Sequence, residues 1–268
     1  MRLSRSLESH EHDRIQAAPH PHSFCESRCA PKRQSRIVAG HGRSLARSAL
    51  PAKTNPMKTK PLIPLLDYLR IHAVIRSVLD SVDAHTAHAC MFFSIAGAAI
   101  LREFYKKDAV QLAGAAFFLV NKQQRNVISF ATLTEGQVQS SDTSFHAWIQ
   151  CDEYVIDFMA PMFPEACTSA GHPFIAPRRM FQKKWADMAP SHEHLDQEGD
   201  FHLVPNPELT VNLRQSFLKK PAGADLVNVC LHWYRKPPKS ILPELRMQND
   251  LGEVTRIKLN NSAVSGTW

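Results

Sequence analysis

The stretch CMFFSIAGAAILREFY, residues 90–105, constrains this chain more than any other. Its middle holds only small or apolar side chains, Ile95, Ala96, Ala98, Ala99 and Leu101 among them. Wound as a helix, it has no broad polar face to turn to water. It therefore predicts a helix from near Cys90 to about Tyr105, buried at the centre of a domain. The most apolar runs, 89–101 and 109–120, are each shorter than the roughly 20 residues that span a bilayer, so both read as core segments. Hydrophobic residues make up 44% of the 268, enough to bury such a helix.

The flanking patterns say what surrounds it. Upstream, Tyr68, Ile71, Ile75, Val78, Leu79 and Val82 recur at spacings of three and four, with Asp67, Arg70, Arg76 and Asp80 on the polar side. That predicts a helix over 62–82, broken by DAHTAH at 83–88. Downstream of Lys106-Lys107-Asp108 the character turns to strand. Strands are expected at 110–120, at 127–133 after the polar turn NKQQRN, at 145–151, at 154–159 and at 201–204. Prolines at 161, 164, 173, 177 and 190 make 160–200 read as irregular. A last helix is expected at 224–234, stopped by Pro237-Pro238. Helices followed by closely spaced strands predict an α+β fold, with hairpins rather than parallel crossovers.

Charge divides the chain. Of 32 Lys/Arg and 25 Asp/Glu, residues 1–56 hold ten and four, a net of +6; residues 57–268 hold 22 and 21, a net of +1. The body, expected as one domain over 57–268, is near neutral and lacks the basic balance of a nucleic-acid-binding domain. Residues 1–56, rich in Arg, Ser, His and Pro, are expected to be a disordered leader. One reading is an over-extended gene start, with Met57 the true first residue. A targeting presequence competes, but Glu8, Glu11, Asp13 and Glu26 are acids that such segments avoid. Cys25 and Cys29 lie in the leader and Cys90, Cys151, Cys167 and Cys230 are scattered through the body. With no CxxC pair and no apolar signal core near the start, reduced thiols in the cytoplasm are expected, with no membrane association.

The candidate chemistry begins at Cys90, the predicted N-terminus of the buried helix. Unpaired amides and the positive end of the helix dipole favour an anion there, and thiolate is the reactive form of cysteine. The alternative is an inert core thiol. In SFHAWIQC, Phe145, Ala147, Ile149 and Cys151 share one face of a strand, and His146, Trp148 and Gln150 the other. In YVIDFM, Val155, Asp157 and Met159 fall together. A two-residue turn at Asp152-Glu153 places Asp157 one diagonal step from His146; a turn at Cys151-Asp152 places them directly opposite. Either turn puts both on one face, where a carboxylate would orient the imidazole. The alternative for this pair is a structural hydrogen bond.

A cysteine opening a buried helix, then HAW on a strand, then Asp on the next strand resembles the transglutaminase-like and arylamine-acetyltransferase-like families of the papain-like superfamily. HACMFFSIAGAAIL and FHAWIQCDEYVIDFMAP are similar in particular to an uncharacterised bacterial domain family placed there. The likeness covers roughly 57–220. It implies a papain-like/transglutaminase-like fold, with a buried N-terminal helix packed on an antiparallel sheet. It also implies Cys90 as nucleophile, His146 as base and Asp157 as third member of a triad. The RGG-x-C segment of the acetyltransferases and the GQCW-type segment of animal transglutaminases are both missing here. His88, two residues before Cys90, is a candidate for holding an oxyanion, or simply caps the turn. Trp148 is a candidate shield for the ion pair, or simply packs.

Other clusters carry less. His192, Glu193, His194 and His202 lie in a polar loop without a metal-binding helix spacing. A Cys90–His146–Cys151 zinc site fails on alternation, which turns Cys151 away from His146. RRMFQKKW, 178–185, reads as a solvated basic segment. No dinucleotide or phosphate-binding loop is present, and no cofactor or metal is expected. The expected function is thiol-dependent acyl transfer through a thioester on an acyl or peptide substrate, as a hydrolase or a transferase. The alternative is a binding or structural module on the same scaffold.

Overall fold

The computed structural model describes residues 61–135 and 137–268; the leader and the choice of Met57 lie outside them. The architecture is a mixed α+β fold, with helices packed on a curled antiparallel sheet.

The first helix, α1, runs Leu65–Asp80. It starts three residues later than the apolar period suggests because Pro64 is extended at its N-cap and disfavours helix before it. Its stripe of Tyr68, Ile71, Val74, Ile75 and Val78 is buried. The next helix, α2, runs Cys90–Tyr105 and closes with Lys106 in the left-handed conformation. Strands β1 (Ala109–Asn121), β2 (Asn126–Phe130), β3 (Thr132–Thr134), β4 (Gln137–Gln139), β5 (His146–Cys151) and β6 (Tyr154–Asp157) follow. The strand expected over 127–133 is thus two, interrupted at Ala131.

The region 160–200 is more ordered than its prolines suggest. It holds α3 (Phe163–Ser169) and β7 (Phe181–Lys184). Pro161 and Pro164 each sit in the first turn of a short helix, where the missing N–H is no loss. The basic segment 178–185 is not a solvated face. Its Met180 and Phe181 are buried, β7 pairs with β6, and Arg178 makes a double bond-pair with Glu165 at 2.6 and 2.9 Å. Then come β8 (Phe201–Pro205), α4 (Pro207–Leu218), α5 (Pro221–Trp233) and a separate hairpin of β9 (Glu244–Gln248) with β10 (Val254–Lys258).

Among the described residues six strands form one sheet, in the order β2-β1-β5-β6-β7, with β8 also on β1. β1 is its axis and is buried on both faces, which explains its continuous apolar run. One face carries Ala116, Phe118 and Val120 against Trp148, Val155, Phe163 and Phe181. On the other, Ala109, Ala113, Ala147, Ile149 and Cys151 pack under α1 and α2. Further along that face, Ala115, Phe117 and Leu119 lie under the β3–β4 hairpin.

Two register details position the site. Residues Ala116, Phe117 and Phe118 pair with β2 and also with β8, so those strands occupy opposite edges of β1. Gly114 pairs with both His146 and Pro205. β5 and β2 therefore follow one another along a single edge of β1, bringing the end of β2 against the start of β5. At the other end of β5, Cys151 pairs with Tyr154 across an Asp152-Glu153 turn. Asp152 takes the left-handed conformation at φ 53°, which aspartate tolerates better than most residues. Among the described residues, no helix is long and apolar enough to cross a membrane.

Candidate active site

Cys90 is the first residue of α2, reached through a short 3-10 turn over Thr86–His88. The N-cap is Ala89, and no side chain caps the helix start. The first-turn amides thus keep their hydrogen-bonding capacity for an anion, at the positive end of the helix dipole. The Cys90 side chain is buried, with 6% of the residue exposed.

His146 opens β5 and Asp157 closes β6; both are buried. The Asp152-Glu153 turn sets them one diagonal step apart on the same face, as strand parity requires. The imidazole Nε2–H donates to Asp157 Oδ2 at 2.8 Å. The other carboxylate oxygen, Oδ1, accepts from the Met159 amide at 2.8 Å. The backbone carbonyl of Asp157 accepts from the Tyr68 hydroxyl of α1. At the next residue, the Phe158 carbonyl accepts from His72 Nδ1 at 2.9 Å. Tyr68 and His72, one helical turn apart, hold the end of β6 by two consecutive carbonyls.

The second nitrogen of His146, Nδ1, is buried and makes no hydrogen bond of standard geometry. Cys90 is the thiol beside this ring and adds to its hold on a proton. Burial alone would push the imidazole down; the charge and hydrogen bond of Asp157, then the Cys90 thiol, override it and raise it to about 10. Asp157 and Cys90 thus favour the protonated ring against its burial. His72 behaves oppositely: burial keeps it neutral, pushed down to about 4.

Aromatic rings enclose His146. Phe130, the last residue of β2, stacks on it with centroids 4.4 Å apart and planes 24° from parallel. Phe118 and Phe163 meet it nearly edge-on, at 5.7 and 6.0 Å. Trp148 shares the His146 face but packs one step along in the core, with Val155 and Phe163. Phe130 is the ring that lies over the face of the imidazole. His88 is exposed, and its Nε2 meets Ser169 Oγ of α3 at 2.9 Å. It ties α3 to the turn before Cys90.

Cys90, Cys151, Cys167 and Cys230 are all buried and outside any disulfide. Burial pushes the Cys151 thiol up to about 11 and the Cys230 thiol well up. Cys151 lies in the helix-side core, across the sheet from His146. His194 Nδ1 meets Ser191 Oγ at 2.7 Å, His202 Nδ1 meets the Ala189 carbonyl at 2.8 Å and His192 stacks on Phe117. Among the described residues no three His, Cys, Asp or Glu side chains gather as a metal ion requires.

Sequence reasoning did not single out Tyr68, His72, Phe130 or Phe163 for the site. Tyr68 read as one apolar residue of the α1 stripe, and its hydroxyl carried no positional signal. Phe130 is 16 positions from His146, and only the end-to-end placement of β2 and β5 joins them.

A family model described as "Protein of unknown function (DUF2026)" matches residues 64–268. The chain is 34% identical to a solved structure described as "The crystal structure of genomics APC5867", with a TM-score of 0.69, covering 78% of this chain and 98% of that one. No curated protein matches it.

Proposed function

This chain belongs to the DUF2026 family, and we propose that it is a thiol-dependent acyl-transfer enzyme acting through Cys90, His146 and Asp157. The observation that carries the reading is the buried His146–Asp157 bond of 2.8 Å beside a helix-initial cysteine. The likeness of this order of elements to the papain-like and transglutaminase-like superfamily supports it, as does the strengthened hold of His146 on a proton.

Cys90 reacts as the thiolate, with the imidazolium of His146 as its counter-ion. The thiolate attacks an acyl carbon and forms a C–S bond. The carbonyl electrons move to oxygen, which the free amides at the start of α2 can stabilise. When the carbonyl re-forms, the bond to the leaving group breaks, and the imidazolium gives that group its proton. A thioester on Cys90 and a neutral imidazole remain. An acceptor then gives its proton to His146 and attacks the thioester; the thiolate departs and the ion pair is restored. Asp157 keeps the imidazole in one tautomer throughout. Water as acceptor makes a hydrolase and an amine makes a transferase. We favour the hydrolase, because water requires no second binding site. The burial of both Cys90 and His146 favours the second reading, a module that keeps the scaffold without turnover.

Iodoacetamide at mildly acidic pH separates the two readings. The enzyme reading expects Cys90 to be alkylated ahead of Cys151, Cys167 and Cys230, with Cys90→Ala losing that label while keeping its circular dichroism. A Cys90 that resists alkylation while another thiol reacts would overturn it. An acyl-thioester screen against the Cys90→Ala control then identifies the acyl group.

A further inference from the structure

The edge shared by β2 and β5 places more than a neighbour against His146. Phe130 lies face to face with the imidazole at 4.4 Å, whereas Phe118 and Phe163 present steep angles of 83° and 63°. An aromatic face carries partial negative charge and an aromatic edge partial positive charge. A cation over such a face is attracted to it, most strongly where water is excluded. His146 is fully buried, and the groups that favour a charge on its ring against that burial are Asp157 and Cys90 in the ring plane, with the Phe130 face lying over it.

We propose that Phe130 is a positioning residue of the candidate site, whose ring face holds His146 in the orientation and the charged form that the thiolate partner requires. The inference rests on the acyl-transfer reading, because an imidazolium matters there only if Cys90 is its counter-ion. The titratable groups facing His146 are Asp157 from β6 and Cys90 from α2. From β1, β2 and α3 the rings that meet it are Phe118, Phe130 and Phe163, none of them ionisable. Phe130 thus joins Asp157 on the side that favours the cation, against desolvation. It touches the base and not the reacting carbon, so its action is through His146.

The test replaces the electronics of the ring while keeping its shape. Pentafluorophenylalanine at position 130 has nearly the form of phenylalanine with the sign of its quadrupole inverted. Phe130→Leu removes the face altogether, and Phe130→Tyr keeps it with the added hydroxyl beside a half-buried site. Two readouts are taken on the full chain: the carbon-13 titration of the His146 ring, and the pH profile of Cys90 alkylation. In the wild type the imidazolium should persist well above pH 6.5. The fluorinated and leucine variants should lose it about one pH unit lower, and tyrosine should restore the wild-type profile. An unchanged titration in the folded fluorinated variant would overturn the role of Phe130 and leave the acyl-transfer reading standing. A wild-type His146 that titrates at its ordinary value would remove the ion pair itself, whatever position 130 holds. A leucine variant that does not fold still leaves the isosteric replacement to decide.

Discussion

Asp157→Asn isolates the charge of the His146 pair with little change of shape. The asparagine Oδ1 can keep the Met159 amide that Asp157 Oδ1 now accepts at 2.8 Å, but its NH2 then faces the Nε2–H of His146. Two donors cannot share that contact, so the imidazole must discharge. In the native protein the ring is raised from 6.5 to about 10. At about 1.4 kcal/mol per pH unit, the charged ring contributes on the order of 4–5 kcal/mol, the net of Asp157 and Cys90 against burial. Truncating one partner of a buried pair costs a similar amount, about 3–5 kcal/mol. The sign follows from the direction of the shift. A group raised on folding gives its full stabilisation below the unfolded value of 6.5 and loses it as pH climbs to about 10. Urea unfolding followed by tryptophan fluorescence should therefore show wild-type stability from this group falling by about 1.4 kcal/mol per unit across that window. Asp157→Asn should be weaker by several kcal/mol at pH 6.5 and below, lack that slope, and approach the wild type near the top of the window. A deficit of the same size at every pH, or a wild type without the slope, would refute a charged His146.

His72 predicts the opposite limb: kept neutral by burial and pushed from 6.5 to about 4, it should withdraw stability as pH falls between those values, by about 1.4 kcal/mol per unit, and His72→Gln should flatten that acid slope in the same unfolding assay. Tyr68→Phe strips the Asp157 carbonyl of its hydroxyl donor in a fully buried setting and should lower the unfolding free energy by about 1–3 kcal/mol. Gly97→Ala would place a methyl 2.3 and 2.8 Å from the Phe158 ring and 2.9 Å from Ile149 Cδ1; overpacking of this kind costs about 1–3 kcal/mol and should appear as a lower urea midpoint with an unchanged m-value.

How much of this was legible depended on whether local pattern or distant packing decides. The α2 boundaries were readable because polar runs bracket one apolar segment, and they match Cys90–Tyr105. The shared face of His146 and Asp157 was readable because strand alternation admits no third choice once the turn has two residues. The β7 strand was hidden by its lysines. Lys184 reaches Glu153 at 3.1 Å while Phe181, within the same basic run, points into the core. Helix α4 carried a start signal in Asn206-Pro207, since the asparagine side chain accepts from the Leu209 amide at 3.0 Å and the proline fills the first position. Its apolar face is too thin to stand out: Leu209 and Thr210 are buried while Val211 and Leu218 are exposed.

Spacing along the chain does not set the meeting of Cys90 with the His146 pair, and one small residue bears on it. Gly97 lies in the middle of α2, where glycine costs about 1 kcal/mol relative to alanine and so calls for a packing reason. The reason is contact: a Cβ there would run into Ile149 of β5, the strand that carries His146, and Phe158, the residue just after β6. Glycine lets α2 lie close on that pair of strands. Cys90 is seven residues earlier, two turns or about 10.5 Å along the axis, which takes it past the middle of β5 toward the end where His146 begins. Phe158 is also the residue after Asp157, and its carbonyl is fixed by His72. The same short segment thus sets the orienting carboxylate on one face of the sheet and the seat of the cysteine helix on the other. A side chain at position 97 would disturb both distances at once, so the loss of stability in Gly97→Ala should come with slower alkylation of Cys90, whereas a purely structural glycine would leave the folded variant's alkylation rate unchanged.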